Sequence, residues 1–442
     1  MSFIADKQTI DDLNIFGRHG RNCVYALFNR TMTRGGSLLL EDMFRSPLSD
    51  SDEINARSGM IRYFQEQKIE FPFRNEIFDI IDNYLSNVDT RTQLAAENNT
   101  LKRKVNNMLG ADTEYEQLHK GVLATIEFLC TLKDLVETIK QDSPYRPTAD
   151  KMQEILVDAR IANVFAERGR KKLPYEKTAD YDRVLRYQFR DELKKLLSHI
   201  FLMDVYITIA KVATEREFCF ATAIESDRKT IKMEGVYHPL LKKAISNDID
   251  INPDNNVIFL TGANMAGKST FMKTFSIAVF LAHMGFPVPA KSMTFTASRG
   301  MFTTINLSDN INMGYSHFYA EVMRVKKVAQ EVGHARDLIV VFDELFRGTN
   351  VKDAYDATVA VTEAFAANKN CVFIISTHIL EAAEELKHRC DNMNYIYLPT
   401  IMKDGVPTYT YKIVKGITED RHGMIIIRNE KILDILAEGK IG

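Results

Sequence analysis

The stretch "VIFLTGANMAGKSTFMKTF" (257–275) constrains this chain more than any other. Val257 to Leu260 form a short apolar run that reads as a buried strand. A run of small residues follows, and then "TFMKTFSIAVFLAHM" (270–284) with helical spacing. The segment "GANMAGKS" (262–269) fits G-x-x-x-x-G-K-[ST], and a strand before it and a helix after it are the setting that pattern requires. Gly262 and Gly267 permit a loop whose backbone N–H groups turn inward toward phosphate oxygens. The helix adds its positive N-terminal end. Lys268 supplies a point charge for β and γ phosphates, and Ser269 offers a hydroxyl to Mg²⁺. The bland alternative is a chance Gly-rich turn, and the flanking elements argue against it.

Two further apolar runs share this texture, "LIVVF" (338–342) and "CVFII" (371–375). Runs that are apolar throughout suit strands buried on both faces, so a largely parallel α/β sheet is expected. In such sheets ligands bind beyond the carboxyl ends of the strands. "LIVVFDE" puts Asp343 and Glu344 at one such end, and "IISTH" (374–378) puts His378 at another. Asp343 suits an Mg²⁺ ion held through water, Glu344 the polarisation of an attacking water, and His378 the γ phosphate or that water. Alone, an Asp-Glu pair after a strand is more often a solvated strand end. Beside a phosphate loop it reads as the catalytic edge of an ATP hydrolase.

With 442 residues the chain exceeds one ordinary core. Residues 1–230 read as a helical domain and 231–442 as the α/β domain, ending in a helical tail, "NEKILDILAEGKIG" (429–442). In the first half, apolar residues recur at three and four in Ile77, Ile80, Ile81, Tyr84, Leu85 and Val88, and the face turns polar beyond Val88. "VLATIEFLCTLKDLVETI" (122–139) reads as a buried helix, and 181–217 as one long lever-like helix. A net charge of −2 excludes a molecule that is basic as a whole, though not a basic face. Cys23, Cys130, Cys219, Cys371 and Cys390 are scattered with no C-x-x-C pair, which suits a reducing cytoplasm. Charges run through "MSFIADKQTIDDLNIFG", so no signal peptide is expected. No run is expected to reach the about 18 apolar residues of a membrane helix.

Together these motifs resemble one family, the MutS family of DNA mismatch-repair ATPases, which groups with the ABC-type ATPases. "TGANMAGKST" (261–270) resembles the family's TGPNMGGKST, with Ala263 and Ala266 where Pro and Gly are usual. "DELFRGTN" (343–350) resembles DE-x-GRGT-[ST], with Phe346 in place of Gly and Asn350 in place of the hydroxyl, and "STH" (376–378) resembles ATH. "NMGYSHFYAEV" (312–322) resembles the signature G-x-S-x-F-x-x-E and keeps Gly314, Ser316, Phe318 and Glu321. "GVYHPLL" (235–241) resembles the R-HP-[LV] segment without its arginine, and "NDI" (247–249) the loop that packs an apolar residue on adenine, here Ile249. "TMTRGGSLLLEDMFRSPLSDSDEINAR" (31–57) resembles the start of the family's core-and-lever region.

The resemblance implies a helical core and lever domain followed by an ABC-type P-loop ATPase domain. It implies an ATP site made by Gly262, Ala263, Asn264, Met265, Ala266, Gly267, Lys268, Ser269 and Thr270, with His238 and Ile249 at the base. Ser269 and Asp343 would contact Mg²⁺, and Glu344 and His378 would act in hydrolysis. It also implies a homodimer in which Gly314, Ser316, Phe318 and Glu321 of one chain act on ATP held by the other. The family's mismatch-reading and connector domains precede its core, whereas this sequence opens on the core-like segment. A short form without mismatch reading is the expectation.

"RGRKKLPYEKTADYDRVLRYQFRDELKK" (168–195) is rich in Lys and Arg. Two readings stay open for Arg168, Arg170, Lys171 and Lys172: contact with a DNA backbone, or an ordinary solvated helical face. The expected role is therefore ATP hydrolysis coupled to DNA binding in repair or recombination, the rival being an ATP-gated clamp or scaffold that acts on a protein partner. No membrane contact is expected.

Overall fold

A computed structural model of the protein describes all residues except 1–2, 18–21, 88–93, 95–110, 264, 307–316, 336, 404–405, 419–434 and 437–442. It divides into two compact units, one of residues 1–27, 44–58 and 213–442, the other of residues 28–43 and 59–212. A single division at 230/231 therefore leaves out two N-terminal pieces of the larger unit. The first of these pieces joins the sheet through Ile4 and Ala5, a strand of two residues too short to carry any periodicity.

The larger unit is built on a seven-stranded sheet. Its strands, numbered along the chain, are β1 (Ile4–Ala5), β2 (Val257–Gly262), β3 (Gly300–Thr304), β4 (Leu338–Phe342), β5 (Val372–Ser376), β6 (Met393–Leu398) and β7 (Val414–Lys415). Their spatial order is β1-β3-β4-β5-β2-β6-β7, and every pairing is parallel except β6 with β7. Five helices of this unit matter below: α1 (Lys7–Asp12), α2 (Lys268–His283), α3 (His317–Ala335), α4 (Val351–Ala366) and α5 (Leu380–Arg389).

All residues of β2, β4 and β5 are buried, as expected for parallel strands covered on both faces. Phe259, Phe342, Phe365 and Phe373 share one core, where the ring of Phe365 stacks 5.8 Å from Phe342 and 5.0 Å from Phe373. Burying each such side chain stabilises the fold by about 1.5–3 kcal/mol. Register then decides what meets at the sheet edge. Phe342 pairs with Ile375, and Ser376 pairs with Leu260. The residues leaving β4, β5 and β2 therefore emerge side by side. At the far edge β1 lies against β3, with Ile4 opposite Gly300. A Cβ on Gly300 would stand 2.6 Å from the carbonyl oxygen of Ile4, so only glycine allows that approach.

A second, four-stranded sheet combines Thr222–Ile224, Ser292–Thr296, Ile231–Val236 and Asn247–Ile251. All five cysteines are free.

The smaller unit is helical. Helix Glu76–Ser86 buries Ile77, Phe78, Ile81, Tyr84 and Leu85, and helix Ala111–Thr138 contains the expected 122–139 segment up to Thr138. Val88 and the polar continuation after it lie outside the described residues, as does the C-terminal tail apart from Ile435 and Leu436. The long helix expected over 181–217 is interrupted. An α-helix (Tyr175–Asp182) runs into a π turn (Arg183–Gln188), and a second α-helix starts at Arg190. The cause is polar. Arg186 is fully buried, pairs with Asp182 at 2.6 Å and donates to the Asn87 carbonyl at 3.1 Å, while the Tyr84 hydroxyl donates to Asp182 at 2.9 Å. A widened turn accommodates a side chain that must reach these partners.

The helix Arg190–Arg216 is long and apolar enough, by length and composition, to cross a membrane, against the expectation of no such run. In the fold 67% of its apolar window is buried, with Leu193, Leu196, Ile200 and Met203 inside. It is a core helix of this unit.

Candidate functional site

The chain turns sharply between β2 and α2. Gly262 has φ +145°, Met265 φ +71° and Gly267 φ +103°. At Gly267 a Cβ would also press to 3.0 Å on the ring of Tyr411. Ala266 needs no such conformation and is buried, so its methyl is accommodated where glycine was the usual residue. Lys268 is buried and its Nζ donates to the carbonyls of Gly262 and Ala263, at 3.0 and 3.3 Å. Burial lowers its pKa, against the attraction of Glu344 and Asp343. Lys268 thus lies folded into its own loop, held by two neutral carbonyls that an anion could replace. Asn264 lies outside the described residues.

The carboxylates meet this loop. The Ser269 hydroxyl donates to Asp343, and the Ser376 hydroxyl donates to the other carboxylate oxygen of Asp343 at 2.5 Å. Glu344 comes next, with φ +56°. Its N–H donates to the Ser376 carbonyl and hydroxyl, each at 3.1 Å. The left-handed turn aims its carboxylate at His378, whose Nε2 lies 2.6 Å from Oε1. That hydrogen bond lowers the Glu344 pKa, against burial. Lys268, Ser269, Asp343, Glu344 and His378, far apart in sequence, are thus brought to the C-terminal edge of three adjacent strands.

Two hard oxygen donors, the Ser269 hydroxyl and the Asp343 carboxylate, converge beside the loop. That donor set fits Mg²⁺, which uses one or two protein oxygens and completes its shell with phosphates and water.

Beside the loop is a cavity of about 270 Å³ lined by His238, Leu241, Ile245, Gly267, Thr270 and Tyr411. His238 accepts the Leu240 N–H at Nδ1 (3.3 Å), and burial lowers its pKa. Ile249 does not line this cavity. It is 4% exposed, paired opposite Met233 in the four-stranded sheet, and borders an adjoining cavity of about 650 Å³ that shares Asn247 and Phe271 with the first. The alternation in "NDIDI" puts Ile249 on the buried face, and Ile245 is the isoleucine beside Gly267. Tyr411 went unrecognised because it lies far along the chain from the phosphate loop, in the connection after β6, and belongs to no motif.

The signature segment divides. Gly314 and Ser316 lie outside the described residues. Phe318 and Glu321 belong to α3 and make contacts within their own chain. The ring of Phe318 meets Phe346 edge-on at 6.1 Å, and Glu321 accepts the Gly348 N–H at 3.3 Å. Burial raises the Glu321 pKa. Phe346 has φ +61°, which explains the usual glycine at that place, and it is nearly fully buried. Asn350 accepts the Asp353 N–H at 3.0 Å and so caps α4, a task asparagine performs as well as a hydroxyl residue. Arg347, absent from the expected set, lies 3.8 Å from Glu344 and 4.0 Å from Glu321.

In the smaller unit, Arg168 pairs with Asp134 and Arg170 pairs with Glu167 at 2.7 Å. Lys171 and Lys172 are exposed, and among the described residues neither carries an ion pair. The basic run is therefore half neutralised within its own chain.

Residues 258–437 match the family model of MutS domain V. The chain is 29% identical over 262 residues to the DNA mismatch repair protein MutS of Petrotoga mobilis (strain DSM 10674 / SJ95), covering 56% of this chain and 31% of that protein. It is 27% identical over 241 residues to the DNA mismatch repair protein MutS of Shouchella clausii (strain KSM-K16), covering 53% and 27%. The matched region spans about a third of these relatives or less. The segment 258–437, which holds the buried parallel strands and the converging Lys268, Asp343 and Glu344, thus matches MutS domain V, and the chain is similar to the MutS proteins over about half its length.

Proposed function

We propose that the larger unit is a P-loop ATPase of the ABC type that binds ATP with Mg²⁺ and hydrolyses it to ADP and phosphate. The observation that carries this reading is the convergence of Lys268 and Ser269 with Asp343, Glu344 and His378 at one strand edge. Lys268 leaves the Gly262 and Ala263 carbonyls and binds the β and γ phosphates. The loop N–H groups and the start of α2 face the same charge. Ser269 and Asp343 would hold the metal, which when bound would supply positive charge to offset that of the phosphates. Glu344 orients and polarises the attacking water, and His378 fixes Glu344 by the 2.6 Å contact. His238, Ile245 and Tyr411 enclose the base in the neighbouring cavity.

The working form is a homodimer with sites shared between chains. Ser316, with Gly314, reaches the partner's ATP, while Phe318 and Glu321 support the chain's own 346–348 loop. The relatives are mismatch-repair proteins, and ATP turnover here is linked to DNA binding in the cytoplasm, with Lys171 and Lys172 as the backbone contacts in the smaller unit. The rival role, a clamp or scaffold for a protein partner, predicts no salt-dependent binding to duplex or branched DNA. The test of the ATP site is Lys268→Ala. Equilibrium binding of ATP should be lost in that variant, and undiminished affinity would remove the assignment. Mixing Ser316→Ala with Lys268→Ala chains should restore one working site per mixed dimer; mixed dimers without ATPase activity would refute the shared site.

A further inference from the structure

The first dozen residues hold both flanks of the segment that joins β3 to α3. On one flank, the buried Asp12 accepts from the Thr303 hydroxyl at 2.7 Å, the Ile305 N–H at 2.8 Å and the Asn306 N–H at 2.9 Å. Thr9 accepts the Thr303 N–H at 3.0 Å, and Gln8 donates to the Asn306 carbonyl at 3.0 Å. On the other flank, Asp6 receives Arg324 and, at 2.8 Å, Lys327, both from α3. Arg324 is itself buried. Its Nη2 donates to the Thr303 carbonyl at 2.6 Å and its Nε to the Thr304 hydroxyl at 3.1 Å.

The last link reaches the site. The Thr304 carbonyl accepts the Asp343 N–H at 2.9 Å. An unbroken series therefore runs from Asp6 through Arg324 and Thr304 to Asp343. Burial alone would raise the Asp6 pKa, but the hydrogen bonds from Arg324 and Lys327 outweigh it and hold the group well below the usual carboxylate range. Asp6 is thus an anion at neutral pH, and Arg324 is a buried cation that cannot lose it cheaply.

We propose that Asp6, Asp12 and Arg324 are positioning residues, fixing Thr304 and through it the place of Asp343 relative to Ser269. None of the three touches the phosphate loop. The inference rests on the reading of Ser269 and Asp343 as Mg²⁺ contacts. Groups hydrogen-bonded to a metal ligand typically set metal affinity by about 10–100-fold, and these residues act one step further out, so the lower end of that range applies.

The experiment compares the full-length chain with Arg324→Met, Arg324→Lys and Asp12→Asn. The first readout is backbone amide exchange at Asp343 in nucleotide-free protein, with β5 as the internal control. Arg324→Met should lose protection at Asp343 while β5 keeps its own, and Arg324→Lys should recover part of it. The second readout is the Mg²⁺ concentration that half-saturates ATP binding. It should rise about tenfold in Arg324→Met and Asp12→Asn, while metal-free ATP affinity, measured in EDTA, stays the same. Loss of protection spread equally over β4, β5 and Asp343 would make these residues plain structural staples and overturn the proposal. So would an unchanged Mg²⁺ midpoint in variants that bind ATP. A wild-type chain that binds no ATP sinks the reading of the site instead, and the exchange result then decides the positioning role alone. If Arg324→Met fails to fold, Thr304→Val, which removes only the Nε contact, is read in the same two ways.

Discussion

Glu344 and His378 leave adjacent parallel strands and meet at 2.6 Å, Oε1 to Nε2. The pairing exists because Glu344 takes a left-handed backbone turn that a straight strand exit would not give it. Glu344→Gln keeps the shape and removes the carboxylate to which the proposed function assigns the attacking water. That variant should bind ATP and hydrolyse it about 10²–10⁴ times more slowly. His378→Ala should have a different signature. The His378 contact lowers the Glu344 pKa, so its loss moves that pKa upward, and the acid limb of the rate–pH profile shifts to higher pH. A single-turnover profile with an unmoved limb would separate His378 from Glu344.

Phe346 presents two opposing terms. A phenylalanine at φ +61° costs about 1–2 kcal/mol against its ordinary conformations. Deleting a buried phenyl ring costs about 3–5 kcal/mol. Packing wins, so Phe346→Gly should destabilise the unit by about 1–4 kcal/mol. Urea unfolding of the variant measures this, and a gain in stability would mean that the contact with Phe318 contributes little.

The basic run offers a count. If DNA is bound through Lys171 and Lys172 alone, replacing both with alanine should flatten the log–log salt dependence by about 1.8, since each contact is worth about 0.9. Arg168→Ala and Arg170→Ala should leave the slope nearly unchanged, because Asp134 and Glu167 already hold those charges. A slope that falls by about 0.9 for each arginine as well would show that DNA displaces both acidic partners.

His283 predicts an acid sensitivity unrelated to the site. Its Nδ1 lies 2.8 Å from the Val279 carbonyl and its Nε2 accepts the Ser298 N–H at 2.9 Å, which fixes a neutral ring. Complete burial pushes its pKa from 6.5 down to about 3. The unfolded chain takes up a proton below pH 6.5 that the folded chain refuses until about pH 3, so stability falls as pH is lowered through that window. The urea midpoint should drop between pH 7 and pH 5, and His283→Gln should drop less over the same interval.

The sequence revealed what packing enforces locally. Strands β2, β4 and β5 were legible because a strand buried on both faces must be apolar throughout, and the carboxylates at their ends followed from that. The face of "NDI" on which Ile249 lies was not legible, because similarity to a family loop says nothing about which face of the strand is buried. The interruption at Arg183–Gln188 was hidden because its cause, the partners of Arg186, lies in another helix. Neither β1 nor Arg324 could be found, since two-residue strands and single arginines acquire meaning only from distant neighbours.

The parallel pairing of β1 also has a temporal side. Thr9 hydrogen-bonds to Thr303, 294 positions later. At a synthesis rate of about 5–20 residues per second, that partner leaves the ribosome roughly 15–60 s after Thr9 does. Residues 59–212 of the helical unit are complete well before then. The N-terminal strand and the charged residues behind it must therefore wait unpaired through the synthesis of the helical unit, until the third strand of their own sheet emerges.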